Sequence, residues 1–241
     1  MAAGLLIVID GPAGAGKSTV ARQLAERFGL PVLDTGAIYR ALALIARERG
    51  VAWSDEAGLA ALTTALASGG ADGEAAVPGI RFVAAEAPGA AQRVELGGRD
   101  VTAAIRTPEI SDGASQVSAH PAVRRGLLGI QRQLGARGCV AEGRDLGTVV
   151  FPDATYKFFL TADDRIRAAR RQQELREQGQ ELALDLVLRD VQSRDERDRV
   201  RAAAPLVQAV DAVLVDSTGK DLDAVVSAIM AEIGRRQADA G

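Results

Sequence analysis

The chain has 241 residues, 47% apolar and 25% charged, with a formal net charge of −3. This fits one large α/β domain or a core carrying insertions, and it excludes a general electrostatic pull toward nucleic acid or an anionic membrane. One cysteine rules out an intrachain disulfide, one histidine rules out a multi-histidine metal site, and no segment reaches the run of about 20 apolar residues that a membrane helix needs.

Leu5 to Ile9 is a continuous, partly β-branched apolar run, the pattern of a buried parallel strand. The N-terminus lacks a basic leader-like segment, so the cytoplasm is the expected compartment. Gly-rich residues follow, and Ser18 to Phe28 then reads as a helix with Val20, Leu24 and Phe28 on one face. Pro31-Val32-Leu33 is a second short strand ending at Asp34, and Ile38, Leu42 and Ile45 mark another helix.

Residues 50–100 change character: Ala and Gly dominate, with turn signals at Gly69-Gly70, Pro78-Gly79, Pro88-Gly89 and Gly97-Gly98. Ile80 to Ala84 and Arg93 to Leu96 are expected strands, with another beginning near Val101, so the segment reads as a small sheet-bearing insertion. Thr107-Pro108-Glu109 is a helix start, a cap followed by proline at the first helical position. A second helix starts near Pro121, just after His120, which is given no role.

Cys139 to Glu142 and Tyr156 to Leu160 are strands, and Cys139 is expected to be a buried, inert thiol. Residues 163–177 and 182–200 read as charged helices separated by Gly179. Ala212 to Val215 is a last strand, and Leu222 to Ile233 a last helix. The strand–helix alternation predicts a parallel sheet covered on both faces.

The first strand ends in Gly11-Pro12-Ala13-Gly14-Ala15-Gly16-Lys17-Ser18-Thr19, which fits G-x-x-x-x-G-K-[ST] with the required strand before and helix after. Glycines let the backbone wrap phosphates, and the following helix adds its positive end. Lys17 can reach the β- and γ-phosphates and the Ser18 hydroxyl can ligate Mg²⁺. Only three lysines stand among the 29 basic residues, so Lys17 is expected to be needed as a lysine. The motif leaves three classes: a GTPase switch, an ATP-driven motor subunit and a small-molecule kinase. The chain contains no asparagine, so the guanine-reading N-K-x-D motif is absent. A motor subunit should end a strand in a carboxylate beside the cradle, and Glu142 meets that requirement.

Three further segments have the composition of an anion site. Asp34-Thr35-Gly36-Ala37-Ile38-Tyr39-Arg40 joins a strand to a helix, with Thr35 as a possible cap and Arg40 one turn inside. Gly143-Arg144-Asp145-Leu146-Gly147-Thr148 follows the third core strand. Arg194 to Arg201, RDERDRVR, carries seven charged side chains in eight residues. On a helix Arg194, Asp198 and Arg201 share a face: two guanidiniums can fork onto an anion while the carboxylate between them accepts from a hydroxyl and holds both arginines in place. Asp195 falls on another face and is expected to matter much less than Asp198 to binding of that second anion. Each segment alone is also explained by a cap, a turn or a solvated ion-pair face. Ligands of open α/β sheets bind at the carboxyl ends of strands, and a second phosphate-bearing substrate opposite the cradle accounts for all three.

IDGPAGAGKST, LDTGAIYRALAL, SQVSAHPAVR, EGRDLGTVVFPDA and RDERDR-x-R-x-x-x-P-L occur in the order found in bacterial-type cytidylate kinases, and from about Ile7 to Thr218 the chain resembles that family. The resemblance implies a P-loop nucleoside monophosphate kinase fold: a five-stranded parallel sheet flanked by helices, with a small sheet-bearing monophosphate-binding insertion and a helical lid. The core would span about residues 1–35, 101–160 and 186–241, the insertion 36–100 and the lid 161–185. The implied reaction is phosphoryl transfer from ATP, with Mg²⁺, to CMP and dCMP. The chain is expected to act as a monomer with small-molecule substrates and neither nucleic acid nor membrane as partner.

By the same resemblance, Thr35, Arg40 and Arg144 would lie at the monophosphate, and Ser115, Arg124 and Asp145 at the cytosine edge. Arg194, Asp198 and Arg201 would hold ribose and phosphate, and Arg170 at the lid would meet the triphosphate. Lys17, Arg144, Arg170 and Arg201 would carry catalysis. Thr35 stands where serine is frequent in the family, and Glu142 where aspartate is frequent; Glu142 could meet Mg²⁺ through water. The remaining readings are a kinase for UMP or AMP, and a P-loop ATPase or regulatory module.

Overall fold

The computed structural model describes residues 4–67, 79–83, 92–177 and 179–239. The apolar run at the N-terminus forms β1, Leu6–Asp10, with its last four residues buried. Its central place follows from that burial: in the five-stranded parallel sheet β2-β6-β1-β7-β8 it has a neighbour on each side. The others are β2 (Val32–Asp34), β6 (Cys139–Gly143), β7 (Tyr156–Thr161) and β8 (Val213–Asp216).

Helices connect and cover these strands: α1 (Lys17–Phe28), α2 (Thr35–Glu48), α3 (Glu56–Ala67), α4 (Pro108–Val117), α5 (Pro121–Gly135), α6 (Asp164–Glu177), α7 (Leu184–Val200) and α8 (Leu222–Asp239). Two cores result. One face of the sheet packs on α1 and α8 through Val20, Leu24, Val226 and Ile229. The other large cluster joins α2, α3, α4 and α5 with Val94 and Leu96. A second, antiparallel sheet has three strands, β3 (Ile80–Val83), β4 (Arg93–Leu96) and β5 (Arg99–Asp100).

The predicted parallel sheet and insertion sheet are both present. The strand expected near Val101 lies just before it, as β5. Helix α3 was read only as Ala/Gly-rich sequence. Its first turn is held by Asp55, which accepts from the Gly58 amide (3.0 Å), and it crosses α5 where Gly126 leaves no room: a Cβ there would come within 2.0 Å of the Thr63 hydroxyl. The predicted cap of α4 is real, with Thr107 Oγ1 accepting from the Ile110 amide. Cys139 is buried, and burial pushes its thiol pKa up to about 12, as an inert thiol requires. The expected turns at Gly69-Gly70 and Pro88-Gly89, with Pro78 and Ala84, lie outside the described residues.

Register is what builds the site. Asp10 lies opposite Gly143, and Asp34 opposite Glu142. The carboxyl ends of β1, β2 and β6 are therefore level, and the three loops that leave them emerge side by side.

Candidate active site

The loop Gly11 to Gly16 leaves β1 and turns into α1. Gly11 has φ +146°, and a Cβ there would come within 1.9 Å of the Leu160 carbonyl oxygen on β7, so glycine is required. The cap residue Gly16 is left-handed and offers no side-chain acceptor, leaving the first α1 amides, from Lys17 through Thr19, open to an anion. Lys17 is buried, and its Nζ donates to the Pro12 carbonyl at 2.7 Å. Burial first, and then the nearby Arg144 guanidinium, lower its pKa to about 7.

Asp34, rather than Thr35, caps α2: its Oδ1 accepts from the Ala37 amide (3.0 Å). The Thr35 hydroxyl points the other way and donates to the Glu142 carbonyl (2.7 Å), tying the second loop to β6. Arg40 pairs with Asp34 at 2.6 Å. Burial is the largest influence and works to raise the Asp34 pKa, but the Arg40 charge, the hydrogen bonds from the Ala37 amide and Arg40, and the Arg106 charge together outweigh it, and the carboxyl sits below the usual range. The Ser18 hydroxyl hydrogen-bonds Glu142, whose pKa is raised by burial and by Asp34.

The loop after β6 begins with Arg144 and Asp145 and continues as a π-helical turn, Leu146–Val150. Asp10, the last residue of β1, accepts from the Leu146 and Gly147 amides at 2.8 Å each and so moors this loop to the central strand. Burial raises the Asp10 pKa to about 6 despite those two hydrogen bonds. Asp10 was missed in the sequence because its partners are backbone groups more than 130 positions away. A strand ending in a carboxylate was the only available signal.

Helix α7 brings in the charged segment. Asp198 accepts from Arg144 Nε (2.9 Å) and from Arg201 Nη1 (3.2 Å). The expected bridge from Asp198 to Arg194 is absent: Arg194 bonds Asp190, one turn earlier on its own helix, at 3.2 Å. Arg194, Asp198 and Arg201 line one cleft, but Arg201 is the extended cap beyond the last helical residue, Val200, and Arg144 from the neighbouring loop takes the place at Asp198 expected of Arg194. Asp195, on a different face of the helix, meets the phosphate loop instead. It is 5% exposed and accepts from the Ala13 amide of the phosphate loop (3.2 Å).

Deeper in the cleft, Arg124 from α5 donates to Asp145 and lies over the Tyr39 ring at 5.4 Å. Arg201 Nη2 approaches Asp145 Oδ1 at 3.6 Å. Ser115 on α4 faces the same cleft, which is lined by Lys17 and Ser18 at one end and by Arg40, Arg124, Asp145 and Arg201 at the other. Arg170 does not line it. Its guanidinium bonds Ala15 O (3.3 Å), Ser217 Oγ (3.0 Å) and Ser217 O (3.0 Å), outside the loop. The neighbouring Arg171 lines the cleft instead, paired with Glu174 at 3.0 Å. Three buried guanidinium nitrogens, Arg40 Nε, Arg124 Nε and Arg201 Nη2, have no hydrogen-bond acceptor.

The cytidylate kinase family model matches residues 7–235. The chain belongs to the cytidylate kinase family. It is 47% identical over 234 residues to a cytidylate kinase of Syntrophotalea carbinolica, covering 97% of this chain and 93% of that protein. It is 46% identical over 232 residues to one of Pseudomonas aeruginosa, with 96% of each covered. With one of Azotobacter vinelandii, identity is 46% over 235 residues and coverage 96% of each. Among the described residues no helix is long and apolar enough to cross a membrane.

Proposed function

We propose that the protein transfers the γ-phosphoryl group of ATP to CMP and dCMP, giving ADP and the pyrimidine diphosphate, as a cytoplasmic enzyme. The observation that carries this reading is the alignment of three strand ends. The glycine-rich loop and the arginines that lack acceptors meet at the carboxyl ends of β1, β2 and β6, which supports reading them as a triphosphate cradle beside an acceptor cleft. A buried N–H without an acceptor is costly, and an incoming phosphate supplies acceptors.

The attacking atom is a phosphate oxygen of CMP, already anionic near neutral pH, so no general base is needed. The work left to the protein is alignment and charge neutralisation. Lys17 leaves Pro12 O and moves onto the β/γ oxygens. Arg144 and Arg201, both held by Asp198, take the oxygens between donor and acceptor. Arg40 holds the monophosphate from the other side, joined by the Thr35 segment. Arg194, with its Nε committed to Asp190, faces ribose. Arg170, docked on Ala15 and Ser217, braces the phosphate loop from outside, and Arg171 is the α6 arginine that faces the cleft. Ser18 and Glu142 are hard oxygen donors of the kind Mg²⁺ accepts; Ser18 directly and Glu142 through a water would hold it, and it would supply neutralisation of phosphate charge. Ser115, Arg124 and Asp145 surround the base. Closure of the lid, about residues 161–185, excludes water, whose attack would waste ATP.

ADP formation measured with ATP, Mg²⁺ and a panel of monophosphates tests the reading. CMP and dCMP should support turnover well above UMP and AMP. ADP formation independent of any monophosphate would establish an ATPase instead.

Asp198→Ala should raise the KM for CMP about tenfold by freeing two arginines and removing a hydroxyl acceptor, with the KM for ATP changed less than about twofold. Equal small effects on both would return the segment to a solvated ion-pair face.

Lys17 supplies a pH-dependent expectation. At pH 8 its amine is mostly neutral in the free enzyme, because its pKa is lowered to about 7. Polyphosphate beside it favours the ammonium, so MgATP binding should take up a fraction of a proton at pH 8 and progressively less below pH 7. Calorimetry in two buffers of different ionisation enthalpy reads this directly. Binding heats identical in both buffers at pH 8 would contradict it.

A further inference from the structure

The charged segment on α7 has a second working face. Asp195 Oδ2 pairs with Arg167 Nη1 at 2.5 Å, and both side chains are almost fully buried. Arg167 lies in the first turn of α6. The two residues converge on one residue of the phosphate loop, Ala13. Asp195 Oδ1 accepts from the Ala13 amide (3.2 Å), and Arg167 Nη1 donates to the Ala13 carbonyl (2.8 Å). Arg167 is fixed in turn by its Nε on Ala162 O (3.0 Å) and by Asp164 (2.5 Å). The backbone contact is equally close: a Cβ on Gly14 would come within 2.8 Å of the Arg167 carbonyl oxygen.

The consequence follows from peptide geometry. In a trans peptide the C=O and the following N–H point in opposite directions, and no described peptide is cis. Asp195 draws the Ala13 N–H outward, so the Pro12 carbonyl of the same unit is turned the other way, where it accepts from Lys17 Nζ. Arg167 draws the Ala13 carbonyl outward, so the Gly14 N–H of the next unit is turned inward, toward the phosphate side of the loop. Two consecutive peptide units are thus oriented from behind by one ion pair. One unit presents a donor, and the other sets the resting place of the lysine.

We propose that Arg167 and Asp195 are positioning residues for the triphosphate: acting as a pair from α6 and α7, they set the orientation of the Pro12–Ala13 and Ala13–Gly14 peptides. Neither touches substrate. The assignment rests on the reading of the protein as an ATP-dependent kinase. It also divides α7 between the two substrates, with Asp195 serving the cradle and Asp198, one turn on, serving the acceptor cleft.

The test compares Asp195→Ala, which removes both contacts, with Asp195→Asn, which keeps an acceptor for the Ala13 amide but loses the charge opposite Arg167. The alanine variant should raise the KM for ATP about tenfold and leave the KM for CMP within about twofold, with the asparagine variant in between at about threefold. Calorimetric titration of the free enzymes with a non-hydrolysable ATP analogue should give the same ranking. Unchanged ATP KM and analogue affinity in folded variants would overturn the proposal. So would parallel rises in both KM values, the mark of general loosening, or failure of both variants to fold, which would make the pair purely structural. If the parent enzyme failed to phosphorylate CMP, the functional reading would fall, while the analogue titration would still decide the role of Asp195.

Discussion

Lys17→Ala is expected to lower kcat by about a thousandfold or more while leaving the protein folded. A unit charge about 4 Å from a phosphate oxygen, at the effective dielectric of a partly enclosed site, is worth about 4 kcal/mol, which is about three decades in rate. The charge developing between donor and acceptor oxygens is where that interaction strengthens. The stability side of the expectation comes from the lowered pKa. Lys17 titrates near 7 when folded and without ligand, against 10.5 when unconstrained. The unfolded chain therefore binds more protons between those values, so the buried ammonium is a net cost to the fold at and below pH 7, relieved as pH rises toward 10. Removing it should not lower the melting temperature at pH 7. Lys17→Arg should not restore turnover, since a planar fork cannot replace a compact ammonium inside the loop. Near-parental turnover in a folded Lys17→Ala variant would remove Lys17 from catalysis.

The contrast between Lys17 and Asp195 marks how far the sequence could be read. Lys17 was legible because the whole phosphate loop is local: strand, glycines, lysine and helix occupy 23 consecutive positions from Leu6 to Phe28. The parallel sheet was legible for the same reason, since each strand announces itself as a short apolar run. Asp195 was not, because its meaning lies in the Ala13 amide, 182 positions away. Helical periodicity places it on a different face from Asp198 without saying what that face meets. Arg144 displaced Arg194 as the partner of Asp198 for a related reason: spacing within one helix cannot weigh a competitor arriving from a loop across the cleft. Helix α3 was lost in an alanine-rich stretch whose glycines serve as turn signals elsewhere. Its helical state rests on the Asp55 cap and on packing against α5, not on a clean apolar stripe. Arg170 and Arg171 were indistinguishable by pattern, and only the docking of Arg170 on Ser217 separates them.

Asp145→Asn is expected to shift the CMP/UMP ratio of kcat/KM toward UMP by about one to two decades. Cytosine presents an amino donor where uracil presents a carbonyl acceptor. A carboxylate facing that position accepts from the first and repels the second, so it attracts one base and rejects the other. Asp145 has the required placement, buried in the cleft at the carboxyl end of β6. Its loop is held by Asp10 through two backbone amides, so the side chain does not choose its own position. Arg124 pairs with it, and Arg201 approaches it at 3.6 Å. An asparagine amide can rotate to donate, and a mismatched buried polar contact costs about 1–3 kcal/mol, which sets the expected range. The same pairing supports a competing account, in which Asp145 only neutralises Arg124 and Arg201. That account predicts loss of the negative charge to weaken both substrates in parallel, with an unchanged ratio. Measuring kcat/KM for CMP and UMP in parent and variant separates the two: a moved ratio places Asp145 at the base, and a constant one confines it to holding two arginines apart.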